Sequence, residues 1–153
     1  MSLPEKEVNK IFQRYESLLI KKLGKEETDD EQLRKLGYKL LGSRFRGVFP
    51  QDELDVSKTG MFVMNNHTSG QPGEHWVFVY STPKTVYIHD SFGRPSKTFL
   101  PILYKNIKTV GKKCIDFDRS DTEQKITTAV CGPIALAVGL TVKQVGIKNA
   151  LKL

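Results

Sequence analysis

Apolar residues recur at three- and four-residue steps near the start of the chain: Val8, Ile11, Phe12, Tyr15, Leu18, Leu19 and Leu23, followed by Gly24. This period predicts an amphipathic helix over residues 4 to 23, with Lys6, Lys10, Arg14, Lys21 and Lys22 on its polar side. Thr28 and Glu31 form a capping-box pattern ahead of Leu33, Leu36, Leu40 and Leu41, so a second helix is expected to end near Gly42. From Phe45 onward the texture changes to short apolar runs cut by Gly, Pro, Asn and Ser. Met61 to Met64 reads as the first strand, and the polar stretch from Asn65 to Gly73 as a loop leading into His75.

Trp76 to Tyr80 and Thr85 to His89 are aromatic and β-branched runs on either side of Ser81-Thr82-Pro83-Lys84, the pattern of a β-hairpin. With Thr82 and Pro83 at the apex, the numbers of opposed residues sum to 165, which sets His75 opposite Asp90. Cross-strand partners have Cβ atoms about 4.5–5.5 Å apart on one face of the sheet. His75, Val77, Val79, Val86, Ile88 and Asp90 then share a face, and Trp76, Phe78, Tyr80, Tyr87 and His89 share the other. Phe99 to Ile107 has helical spacing, and Cys114 to Asp118 reads as a strand. Cys131 to about Val145 is apolar nearly all round, as expected of a helix buried in a core, with Pro133 in its first turn. These elements predict an α+β fold: a mixed, mostly antiparallel sheet packed against the buried helix.

A length of 153 residues with 39% hydrophobic content fits one domain over 1–153, with helices at about 4–42 and the rest at about 45–145. The longest apolar run, about Val130 to Val142, is interrupted by Gly132, Pro133 and Gly139 and falls short of the ~20 residues that span a bilayer. With no secretion-signal pattern at the N-terminus, the expectation is an intracellular protein with no membrane partner. Cys114 and Cys131 are too few for a disulfide framework or a zinc site, so no structural metal is expected, and the thiol chemistry considered below requires no metal or organic cofactor. The net charge of +7 favours acidic partners such as DNA, though it equally describes a merely basic surface.

Cys131 at the first turn of a helix carries candidate chemistry. The unpaired amides and positive dipole end there favour an anion, and the thiolate is the nucleophilic form of cysteine. A buried free cysteine is more often simply a small apolar residue. His75 and Asp90 alter that balance, because a thiol needs a base and an imidazole needs a carboxylate to hold its tautomer. His89 falls on the opposite face and His67 in the polar loop, and both read as ordinary surface histidines. Asp90 alternatively initiates the turn at Ser91. Gln124 precedes Cys131 by seven residues in a polar stretch, where its amide can serve as an oxyanion donor or remain solvated.

Gly73-Glu-His75-Trp76, Tyr87-Ile-His-Asp90-Ser-Phe92-Gly93 and Gln124-x6-Cys131-Gly132, with the upstream Gly47-Val-Phe-Pro-x-Asp-Glu-Leu54, resemble the adenovirus-type cysteine endopeptidases. That group is related in fold to the ubiquitin-like-specific proteases, and versions occur in virophages and virus-like transposons. The resemblance covers roughly residues 45 to 142. It implies Cys131 as nucleophile, His75 as base and acid, Asp90 as orienter, Gln124 as oxyanion donor and Trp76 beside the substrate cleft. It further implies cleavage at Gly-containing sites in capsid or virion precursors, in a virus factory or virion, with an activating peptide on Cys114 or DNA as activators. Two other readings remain open: a deconjugase for ubiquitin-like modifiers, and a non-catalytic module that binds DNA or capsid protein. Many adenoviral members carry Glu where this chain has Asp90.

Overall fold

The N-terminal periodicity becomes two helices in the computed structural model, which describes residues 1–24, 28–67, 75–117 and 130–153. Helix α1 spans Glu5–Leu23 and buries Val8, Ile11, Phe12 and Leu19. Its first turn carries Glu5 and Glu7 and its last turn Lys21 and Lys22, each sign placed where the helix dipole favours it. Helix α2 spans Asp30–Leu41 and begins one residue later than the capping pattern predicted. Asp29, not Thr28, accepts the Gln32 amide at 2.7 Å, while the Gln32 side chain accepts the Asp29 amide at 3.0 Å. Thr28 is drawn into the core instead, where its carbonyl accepts the indole N–H of Trp76 at 2.9 Å.

Five strands form one sheet in the order β1-β2-β3-β4-β5: Phe45–Pro50, Gly60–Asn65, Trp76–Ser81, Thr85–His89 and Lys113–Asp116. The two central ladders, β2 with β3 and β3 with β4, are antiparallel; the two outer ones, β1 with β2 and β4 with β5, are parallel. The sheet therefore begins with β1, not with the Met61 run. Edge strand β1 escaped the sequence reading because Gly47, at φ 130°, lies at a register shift in the β1–β2 ladder, where strict alternation is lost.

The hairpin forms, but its register sum is 167: Phe78 faces His89, Val79 faces Ile88 and Ser81 faces Val86. The turn is Pro83-Lys84, one residue later than expected, closed by Thr82 N–H on the Thr85 carbonyl at 2.8 Å and by Thr82 Oγ1 on the same oxygen at 2.8 Å. A local side-chain bond thus moved the apex. Because the sum changes by two, every residue keeps its face and only its opposite partner changes.

Helices cover both faces. On one face Met61, Val63 and Phe78 pack with α1, α2 and α5 (Cys131–Val145), whose residues Ile134 to Val138 are almost fully enclosed. On the other, Phe62, Met64, Val77, Val79, Val86 and Ile88 pack with Leu103 and Ile107 of α4 (Pro101–Thr109), after the short α3 (Ser96–Phe99). A final turn, α6 (Ile147–Ala150), follows α5. The result is the expected α+β architecture with a mixed sheet against the Cys131 helix. Among the described residues no helix is long and apolar enough to cross a membrane.

Gly37 sets how closely α2 approaches β1, since a Cβ there would lie 2.3 Å from the ring of Phe45. Phe45 is buried and meets Tyr38 edge-on at 5.0 Å, which leaves the ring little room to retreat. Gly37→Ala is expected to destabilise the protein by about 1–3 kcal/mol despite alanine's better helix propensity. A denaturant midpoint equal to or above that of the wild type would show that the ring yields freely.

Candidate active site

The end of the sheet where β3 starts and β4 stops brings three of the expected residues together. His75 immediately precedes β3, Asp90 immediately follows β4, and Cys131 opens α5. The backbone of His75 is held by Asn66, whose Oδ1 accepts the His75 amide at 3.0 Å and whose own amide donates to the His75 carbonyl at 3.0 Å. Asn66 is held in turn by Gln51, a buried residue whose Nε2 donates to the Asn66 carbonyl at 2.7 Å. The Gln51 Oε1 accepts the amides of Ile102 and Leu103 at 3.0 and 3.2 Å, so one side chain ties the loop before His75 to the start of α4.

His75 Nε2 lies 2.6 Å from Asp90 Oδ1, with both side chains almost fully enclosed. With the register sum at 167, Asp90 falls opposite Val77 and is the diagonal neighbour of His75, while Phe92 lies in the turn that the Gly93 amide closes on the Asp90 carbonyl at 2.8 Å. Phe92 stacks on the imidazole with centroids 4.6 Å apart and an interplanar angle of 12°, and Phe99 meets the same ring edge-on at 6.0 Å. A diagonal pair lies within reach of long side chains, so the pairing of His75 with Asp90 survives the change of register.

Asp90 is enclosed by donors. Oδ1 also accepts the Phe92 amide at 3.0 Å, while Oδ2 accepts Arg94 Nε at 2.9 Å and the Arg94 amide at 3.3 Å. Burial alone would push this carboxyl up, but the bonds from His75 and Arg94 and the nearby imidazole outweigh it and hold the pKa down to about 2. For His75, burial works to lower the pKa. The hydrogen bonds and charges of Asp90 and Cys131 oppose that and leave it raised. The imidazole is thereby bonded to a carboxylate and within electrostatic reach of the Cys131 thiol.

Cys131 is buried, and its Sγ accepts the backbone N–H of Trp76 at 3.5 Å. The amides of the first turn of α5, that of Cys131 among them, have no intrahelical acceptor and point past the N-terminus of the helix. Gly132 fits closely beneath them, since a Cβ at this position would come within 3.1 Å of Leu33 and Thr28. Trp76 joins the site through its backbone, and its indole ties the start of α2 to the same corner. Gln124 lies outside the described residues.

The remaining candidates are placed elsewhere. His89 is not at the surface: it is buried against Phe117, with ring centroids 5.2 Å apart, on the face opposite His75. His67 is half-buried in the loop after β2, where its amide donates to Asn65 Oδ1 at 2.9 Å. Cys114 is on β5 with its Sγ 3.5 Å from Ser96 Oγ, and burial pushes its thiol pKa up. Arg94, Asn66, Gln51 and Phe92 were not anticipated. No periodic signal marks them, since each lies in a loop or turn.

No protein-family model matches the chain, and no curated protein matches it. Among solved structures, one described as AvrA delL154 with IP6 and CoA is similar, with a TM-score of 0.41 and 19% sequence identity. The similarity covers 93% of this chain and 61% of that one, so this chain spans less than two thirds of that structure's length.

Proposed function

We propose that this protein is a cysteine endopeptidase. The observation that carries the reading is the imidazole of His75, bonded to the Asp90 carboxylate at 2.6 Å and set beside the Cys131 thiol at the start of a buried helix. With Nε2 committed to Asp90, Nδ1 is the ring nitrogen that serves the thiol, and Asp90 keeps the imidazole in that tautomer.

In the first half-reaction the thiol proton passes to His75 and Cys131 Sγ attacks the scissile carbonyl. The oxyanion forms where the amides at the start of α5 can donate to it, with Gln124 as the side-chain donor that the resemblance implies. His75 returns its proton to the leaving amine, the C–N bond breaks and a thioester remains on Cys131. His75 then removes a proton from water, the hydroxide attacks the thioester, and the C–S bond breaks to release the acid, the proton on His75 returning to the Cys131 sulfur. Asp90 stays ionised throughout and stabilises the imidazolium. No metal or organic cofactor takes part in this sequence.

The substrates we infer are capsid or other virion precursors cut at Gly-containing sites, with Trp76 at the edge of the cleft. This part rests on the resemblance of the motifs around His75, Asp90 and Cys131 to the adenovirus-type endopeptidases. Incubating the protein with candidate precursors and sequencing the new termini tests it. Termini at Gly-containing sites support the assignment. Release of a ubiquitin-like modifier from a fusion, with precursors left intact, would make it a deconjugase, and binding without turnover would make it a non-catalytic module. DNA and a peptide disulfide-linked to Cys114 are the activators to include; unchanged rates with either would remove it from the account.

A further inference from the structure

Arg94 follows Asp90 by four residues and takes the carboxylate oxygen that His75 leaves. Its Nε donates to Oδ2 at 2.9 Å, while Oδ1 lies 2.6 Å from His75 Nε2. One carboxylate is thus shared between two partners that carry positive charge, one at each oxygen. The guanidinium carbon sits 3.4 Å from the ring centroid of Phe99 and 4.8 Å from that of Phe92. Those are the two rings that enclose the imidazole of His75, so cation and base rest on a common aromatic support. Arg94 Nη2 is buried and makes no hydrogen bond among the described residues. Among the described residues the head group is held by Asp90 and the two rings.

We propose that Arg94 is a positioning residue that divides the charge of Asp90, drawing Oδ2 to itself so that the imidazolium of His75 can release its proton to the leaving amine. The inference rests on the reading of Cys131 and His75 as nucleophile and base. A carboxylate committed wholly to His75 would hold the imidazolium more tightly and make it a poorer acid. A second cation at the far oxygen offsets part of that pull, as like charges do across a shared counter-ion. Among the described residues, Asp90 meets the charged groups of His75 and Arg94, and His75 meets Asp90 and the thiol of Cys131.

Removing the Arg94 side chain leaves Asp90 in place, because the backbone amides of Phe92 and residue 94 still hold its two oxygens at 3.0 and 3.3 Å. Loss of the positive charge then stabilises the imidazolium and raises the pH at which His75 gives up its proton. A purely structural role would act in the opposite direction: a carboxylate that swings away would lower that pH.

The test is an NMR titration of the His75 ring in the full chain, assigned by the signal that disappears in His75→Ala, for wild type, Arg94→Lys, Arg94→Gln and Arg94→Met. Glutamine keeps a donor for Oδ2 without charge, and lysine keeps charge without the planar fork. The Gln and Met variants are expected to titrate about half a pH unit or more above wild type, with lysine close to wild type. Their kcat for peptide cleavage should fall with KM unchanged. If Arg94→Met does not fold, Arg94→Gln alone makes the comparison. An unchanged or lowered midpoint in Arg94→Gln, with cleavage by the wild type intact, overturns the inference alone. No cleavage by the wild type overturns the peptidase reading and, with it, the positioning role given to Arg94.

Discussion

Cys131→Ala is expected to remove peptide cleavage, by about 10,000-fold or more, while Cys114→Ala keeps it within a few-fold of wild type. The contrast follows from two different environments in one chain. Cys131 opens a buried helix with an imidazole beside its thiol and the Trp76 amide directed at its sulfur. Cys114 has a serine hydroxyl at 3.5 Å, no imidazole among its interactions with the described residues, and a thiol that burial disfavours as thiolate. Steady-state cleavage of a peptide with a Gly-containing site measures both variants. Retained activity in Cys131→Ala, or loss in Cys114→Ala with the fold intact, would place the nucleophile elsewhere.

Asp90→Asn should lower kcat by about 100- to 10,000-fold, because an amide can present its NH2 to His75 and thereby favour the wrong tautomer. The same substitution should cost stability in a pH-dependent way. Asp90 has a folded pKa of about 2, below its ordinary value of 3.8, so its contribution is complete above about pH 4 and is lost as pH falls toward 2. That difference corresponds to about 2 kcal/mol. His75 has a raised folded pKa, so its contribution is complete below its unfolded value near 6.5 and is lost as pH rises through the folded value. Both contributions overlap between about pH 4 and 6.5, where the stability gap between wild type and Asp90→Asn should be widest. Denaturant melts across pH 2 to 9 measure it, and a gap that is flat or grows above pH 8 would contradict the assignment.

How far the sequence disclosed this site depends on the kind of signal. Helices α1, α2 and α5 were legible because burial on one face, or all round, leaves a periodic apolar pattern. His75 and Asp90 could be placed on one face because face depends only on parity, which survived when Thr82 moved the turn by a residue. Their exact relation was not legible, since turn position is decided by a single hydroxyl. Edge strand β1 carries a glycine at positive φ and a register shift, which erase alternation. Gln51, Asn66 and Arg94 lie in loops outside periodic segments, where no pattern marks which atoms a side chain will meet. Gln51 reaches Ile102 and Leu103, contacts that no local pattern announces. His89 looked like a surface residue because one histidine in an aromatic strand carries no mark of the Phe117 ring that covers it.

The central claim is that acyl transfer passes through the sulfur of Cys131. Acid-quenching the protein during turnover of an activated peptide ester and weighing the intact chain tests it most directly. The account predicts a mass increase equal to the acyl portion, removed by hydroxylamine, mapped to the peptide containing Cys131 and absent in Cys131→Ala. Turnover with no such adduct, or an adduct on any other residue, would contradict it.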